Sequence, residues 1–297
     1  MTFATIYNAV ADQVKDSSTA MITRIKQYIN WTQQDIASRG NWDFLYTDSF
    51  FQCTSPYTTG TALPSNGSTS VVGTDTSWDS SIIGKKIRFA STVEYYTISA
   101  VGSTTTLTLD QNYVGTTPTS AVTYEIFENI YSLDSDVENV ISMTNPTLNA
   151  KLHYISKQRL DDLDPNIQTS GVPYIWTESG LDSSDYPQIR VYPYPNSNYV
   201  IYYSYRKSLT DLSGTTDISL IPVKYHKLLY LGAVAQVYDY LQDPSSLTYW
   251  TQYENMLDDM KSDLISGSED NITVINSNRG QRTNSSTLRL PPAHFSN

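Results

Sequence analysis

Residues 73–89 read "GTDTSWDSSIIGKKIRF", and how this stretch folds decides the middle of the chain. A glycine, two lysines and an arginine beside an aromatic have the makings of a phosphate cradle. Such a cradle needs a helix whose N-terminus receives the anion. After Gly84-Lys85-Lys86 comes "IRFASTVEYYTI", which alternates as a strand. Ile83, Ile87 and Phe89 are expected to face a small core, with Lys85, Lys86 and Arg88 pointing outward. The nucleotide reading fails; the stretch belongs to a β-module.

Its surroundings repeat the pattern. "TSVVGTD", "EYYTISAVG", "TTLTLDQ" and "TYEIFEN" are short strand candidates separated by Gly, Ser and Asn turns, at the spacing of a small barrel or sandwich. No helical period survives here, so residues 54–121 read as a compact all-β insertion. Upstream, "FATIYNAVADQVK" places Ile6, Val10 and Val14 one turn apart. The run "TAMITRIKQYINWTQQDIASRG" repeats Ile22, Ile25, Ile29 and Ile36 and stops at Gly40. These are two packing helices. "DFLYTDSFFQC" then reads as a strand, completing a first unit over 1–53.

Downstream, 122–220 is β-rich. Ser132 or Asp134 is placed to cap a helical turn before the strand in "SLDSDVENVISM". "AKLHYISKQRLDDLDPN" reads as strand then short helix, ended by Asp164-Pro165. "YIWTES", "QIRVYPYP" and "YVIYYSYRKSL" are further strands. Pro187, Pro193 and Pro195 set the middle one at an edge or interrupt it. Residues 221–267 return to helix: a run from Pro222 that is apolar on nearly every side (Leu228, Leu231, Val234, Val237, Leu241), then a second helix capped by Asp243-Pro244. Gly232, Ala233 and Ala235 permit close approach. A helix apolar all round is buried on all sides. The pair forms an antiparallel hairpin, and 268–297 is an extended arm. The fold class is therefore α+β: a helical bundle body from both termini, an inserted β barrel or sandwich, and a C-terminal arm.

Bulk properties narrow the function. The chain has 297 residues, 39% apolar and 16% charged, with a net charge of −11 from 30 acids and 19 bases. That balance argues against tight nucleic-acid wrapping, which needs cations to replace condensed counterions. Beyond Asn271 the only charges are Arg279, Arg282 and Arg289, which leaves −14 on the rest. The single Cys53 excludes an internal disulfide framework, and buried packing is its reading. The start lacks a basic then apolar leader, so no signal peptide is expected and the Asn-x-Ser/Thr triplets at Asn30, Asn66, Asn271 and Asn284 are coincidental. "LLYLGAVAQVYDYL" is too short and interrupted to cross a bilayer.

Chemistry is hard to find. His153, His226 and His294 have no second ligand at metal-binding spacing, and His226 reads as a core-edge polar group. No nucleophile elbow, Walker loop, zincin or dinucleotide motif occurs. Glu94, Glu125, Glu128 and Glu178 sit in β-rich sequence where a glycosidase pair across a groove would form. No cofactor is expected and no enzymatic activity is favoured.

The run "STSVVGTDTSWDSSIIGKKIRFASTVEYYTISAVGSTTTLTLDQNYVG", followed by "TYEIFENIYSLDSDVENVISM", resembles the β-insertion and return strand of tailed-phage head-to-tail adaptor proteins, the podophage tail tubular and tail accessory factor class. The flanking helices and tail agree with it. This resemblance implies a head-completion protein: a ring, often dodecameric, beneath the portal, whose lumen continues the DNA channel without sequence-specific binding. Its lower face receives a tail nozzle or hub, its C-terminal arm climbs onto the portal, and its insertion projects toward fibres or spikes. The arm residues expected to bind portal are Arg279, Arg282, Leu288, Arg289, Leu290 and Phe295. Leu228, Leu231, Val234, Trp250 and Leu257 are expected to pack between subunits. Outward contacts of the insertion are assigned to Trp78, Lys85, Lys86, Arg88 and Tyr95. Two alternatives stand beside it. One is a receptor- or carbohydrate-binding tail appendage in which Trp78, Tyr95 and Tyr96 stack on sugars. The other is an adaptor with added cell-wall hydrolase activity.

Overall fold

A computed structural model describes residues 1–90 and 92–264. The expected arm, with Arg279, Arg282, Leu288, Arg289, Leu290 and Phe295, lies outside the described residues, as does His294.

Helices α1 (Phe3–Val14) and α2 (Thr19–Ser38) form where the apolar spacing demands. Thr2 Oγ1 accepts the Thr5 N–H at 3.3 Å and Ser18 Oγ accepts the Met21 N–H at 3.3 Å, satisfying donors that the first turn leaves free. A 3-10 turn at Asp43–Leu45 leads into β1 (Tyr46–Cys53). Six short strands follow: β2 (Thr61–Pro64), β3 (Ser70–Thr74), β4 (Lys86–Phe89), β5 (Tyr95–Ser103), β6 (Thr106–Leu109) and β7 (Tyr124–Phe127). Next come β8 (Ile130–Ser132), β9 (Val137–Asn145), β10 (Ala150–Lys151), β11 (His153–Tyr154) and α3 (Lys157–Leu163). The β region ends with β12 (Ser170–Gly171), β13 (Ile175–Leu181), β14 (Pro187–Tyr192), β15 (Tyr194–Pro195) and β16 (Tyr199–Lys207). Helices α4 (His226–Tyr240) and α5 (Ser246–Leu264) close the described chain. The protein is mixed α+β, with five α-helices and several antiparallel sheets among the described residues.

Three hydrophobic cores divide the work. In the first, α1, α2 and α5 surround α4, whose Leu228, Leu229, Val234 and Val237 are fully buried. This corrects one sequence expectation. Leu228, Leu231, Val234 and Leu257 are at most 3% exposed within a single chain, so they are not free to pack against another subunit. The helix is apolar all round because its own chain supplies every neighbour. Trp250 is half-buried, donating its indole N–H to Asp239 at 2.7 Å and meeting Tyr253 edge-on. Gly232 is where α2 comes closest: a Cβ there would lie 2.4 Å from Thr32 Cγ2.

The second core lies between two four-stranded sheets, β1-β16-β9-β10 and β11-β13-β14-β8. Alternation along β16 sends Ile201, Tyr203 and Tyr205 inward against Tyr131, Trp176, Ile189 and Val191. Strand β14 is interior, between β13 and β8, and not an edge, while the other expectation holds: the run is interrupted at Pro193, which separates β14 from β15. Pro187 opens it and Pro193 follows its end, so neither removes a donor from its middle. Asp134 caps no helix; its carbonyl accepts the Val137 N–H in a turn before β9.

The third core belongs to the sheet β2-β3-β6-β5-β4-β7. Bridges Ala62↔Val122 and Tyr57↔Ile126 draw its two ends together, as in a small barrel. The sheet takes in Tyr124–Phe127, past the boundary expected at residue 121. Ile87 and Phe89 are fully buried as their parity requires, whereas Ile83 is 46% exposed beside Gly84. Gly84 turns the chain at φ +85°, and a strand, not an α-helix, follows.

Candidate functional site

Lys86 and Arg88 share one face of β4, opposite Ile87 and Phe89. That polar face is only partly open to solvent: Arg88 reaches the loop after α3 and lies over the Tyr194 ring of β15. Arg88 Nη1 donates to Glu125 Oε1 at 3.0 Å, and Nη2 donates to the carbonyls of Asn166, at 2.9 Å, and Ile167. Its side chain is 12% exposed. Tyr194 donates its hydroxyl to the same Glu125 oxygen at 3.0 Å and stacks on Phe127 with ring centroids 4.4 Å apart. Phe127, Ile167 and Tyr194, with Tyr95 against them, form a separate apolar cluster beneath the guanidinium.

The loop is prepared for this contact. Asp164 ends α3 and accepts the Gln168 and Thr169 N–H groups, each at 2.9 Å, on its two carboxylate oxygens. Ile167 adopts φ +51°, which turns the backbone between them. Burial, and then the Glu125 carboxylate, push the Tyr194 phenol above its ordinary range, so it stays a hydrogen-bond donor. Burial lowers Lys86, whose amine donates to Thr97 Oγ1 at 2.7 Å and lies 5.6 Å from the Tyr95 ring. Lys85 bridges to Glu128 at 3.4 Å and to Thr54 Oγ1 at 3.4 Å. A cleft of about 480 Å³ opens beside the pair, lined by Thr58, Arg88, Phe89, Thr92, Tyr124 and Glu125 among others.

The outward assignment of the insertion residues is thereby corrected. Trp78 is 2% exposed and donates its indole N–H to Tyr124 at 2.9 Å inside the small core. Lys85, Lys86, Arg88 and Tyr95 line the seam between the small sheet and the sandwich. Their partners Glu125, Ile167 and Tyr194 were missed as partners, because strand parity reveals which residues share a face but not what that face meets.

Sugar stacking loses its platform too. Trp78 and Tyr96 are buried, and Tyr95 packs at the seam. Of the four carboxylates considered for hydrolysis, Glu125 and Glu128 are held in ion pairs, while Glu94, in the loop before β5, and Glu178, on β13, are exposed. Among the described residues no three His, Cys, Asp or Glu side chains gather as a metal site. His226 is 1% exposed, with Nε2 2.8 Å from the Ile221 carbonyl. The arrangement ties parts of the chain together; it presents no activated nucleophile or paired acid and base.

The family model described as SU10 adaptor protein matches residues 1–280. The chain belongs to the SU10 adaptor protein family. It is thus a bacteriophage adaptor, a structural component of the virion. A search of curated proteins finds no match. No described helix is long and apolar enough to cross a membrane.

Proposed function

We propose that the protein is a head-to-tail adaptor of the podophage type, assembling as a ring, a dodecamer by that resemblance, which binds the portal, completes the head and extends the DNA channel. The observation that carries this reading is the family match over residues 1–280, from the first helix past the end of α5. The charge balance supports it. A conduit must not hold the polymer that slides through it, and −14 on residues outside the basic terminus provides repulsion rather than counterion replacement. Arg279, Arg282 and Arg289 suit acidic groups on the portal, and Leu288, Leu290 and Phe295 suit apolar pockets there. A tail nozzle or hub docks on the opposite face, and the small β-module is free on its far side for fibres or spikes. The subunit contacts use surfaces other than the buried helical residues.

The test is cosedimentation with assembled portal rings. Full-length protein is expected to pellet with portal, and protein truncated after Gly267 is expected to stay folded and remain in the supernatant. Absence of binding by the full chain ends the adaptor reading, and unimpaired binding after truncation ends the assignment of the arm.

A further inference from the structure

The small sheet is joined to the sandwich by two crossings that run side by side. One is Thr54–Pro56, between Cys53 at the end of β1 and the Tyr57↔Ile126 bridge. The other is Glu128, between Phe127 at the end of β7 and Asn129, whose carbonyl accepts the Val191 N–H at 2.9 Å in the sandwich. Two adjacent crossings leave one easy direction of rotation, about the line that joins them.

What resists that rotation is small. Three buried residues, Phe127, Ile167 and Tyr194, make the apolar contact across the seam, against thirteen inside the small module's own core. The polar contacts are the Arg88 fork on the Asn166 and Ile167 carbonyls, the Tyr194 hydroxyl on Glu125 and, at the crossings themselves, Lys85 on Glu128 and Thr54. Contacts of this size and polarity between parts of a chain permit relative motion. The seat is also incompletely satisfied. Arg88 Nε and both polar atoms of the Asn129 side chain are buried without a protein partner, and Asn129 is only 2% exposed. They are three of the six such atoms among the described residues. Buried polar groups left unmatched oppose the state that buries them, so their concentration at one seam favours a second position in which they are solvated or paired.

We propose that the small β-module is a latched lever: it pivots on Thr54–Pro56 and Glu128, and Arg88 with Tyr194 forms the latch that holds it against the sandwich. Release swings the module away from the 164–169 loop and exposes Phe127 and Tyr194. The proposal stands whether or not the chain binds portal, because pivot and latch lie within one subunit.

Double electron–electron resonance on the isolated full-length chain tests it. Spin labels go on Val72→Cys in the module and Leu247→Cys on α5, both exposed. Buried Cys53 stays unlabelled. The parent is expected to give one main distance with a minor second population. Arg88→Met is expected to raise the second population about fivefold or more, with the module's own near-ultraviolet signal retained. Should Arg88→Met fail to fold, Glu125→Gln, which weakens the Tyr194 bond across the seam while leaving the carbonyl contacts, is expected to shift the same population in the same direction by a smaller factor. A single distance, unchanged in whichever variant folds, overturns the lever.

Discussion

Cys53 ends β1 with no exposed surface, stacked among Phe51, Tyr131 and their neighbours. Burial is the main reason its thiol is pushed up to about 12. The reactive species is the thiolate, so at about pH 8 alkylation of the native protein is expected to be negligible and to become complete in urea. Mass spectrometry after a timed iodoacetamide pulse measures it, and rapid native labelling would contradict the burial. His226 makes a pH-dependent contribution of predictable sign. Burial is the leading cause holding it below 6.5, and the Met1 amino group, 2.8 Å from Nδ1, adds a like charge. The unfolded chain therefore takes up this proton more readily than the folded one. Stability is present above the ordinary histidine range and is lost as pH falls through it toward the lower folded value. Between about pH 7.5 and pH 5.5 the urea midpoint is expected to drop, and His226→Gln is expected to shrink that drop. An identical drop in the variant would remove His226 as its source.

Helix α4 shows what a periodic pattern can and cannot convey. Its apolar residues on every side mean burial on every side, and that much was readable from "LLYLGAVAQVYDYL". The identity of the covering surface was not, because α1, α2 and α5 of the same chain cover it as fully as neighbouring subunits would. Strand β4 repeats the lesson: alternation separated Lys86 and Arg88 from Ile87 and Phe89, but a polar face folded onto a distant loop has the sequence of a solvated one. The strands of the small module were legible because their turns are local. Its seam depends on Ile167 and Tyr194, which lie 79 and 106 residues from Arg88, and nothing local marks them. Gly232, by contrast, reads from sequence as a point of close approach and is one. Gly232→Ala gains about 1 kcal/mol of helix propensity, but its methyl group meets buried Thr32, whose hydroxyl is bonded to the Tyr28 carbonyl at 2.8 Å and cannot swing away freely. Overpacking of that kind costs about 1–3 kcal/mol, so a net loss on the order of 1 kcal/mol or more in urea titration is expected. In a Thr32→Ala background the loss is expected to shrink or reverse; equal losses in both backgrounds would mean that the helices are not touching there.

Three cores in one chain raise the question of which can stand alone. The helical core draws on both termini, and the sandwich needs β1 from before the small module and β8 to β16 from after it, so neither is a continuous piece of sequence. The small module is continuous. Every buried residue of its core, from Ala62 to Ile126, lies between the two crossings. The paired N–H···O bonds of Tyr57 and Ile126, 2.8 and 2.9 Å, bring its ends together without help from the rest of the chain. Residues 55–128 alone are therefore expected to fold cooperatively, with dispersed amide resonances and a single unfolding transition. Loss of the Phe127–Tyr194 stack and the Arg88 contacts with the 164–169 loop removes seam contacts but none from Trp78, Ile87, Phe89 or Tyr124 at the centre. A collapsed amide spectrum from this fragment would mean that the sandwich supplies part of the module's stability, and that the seam is a shared core rather than a contact between separately folded parts.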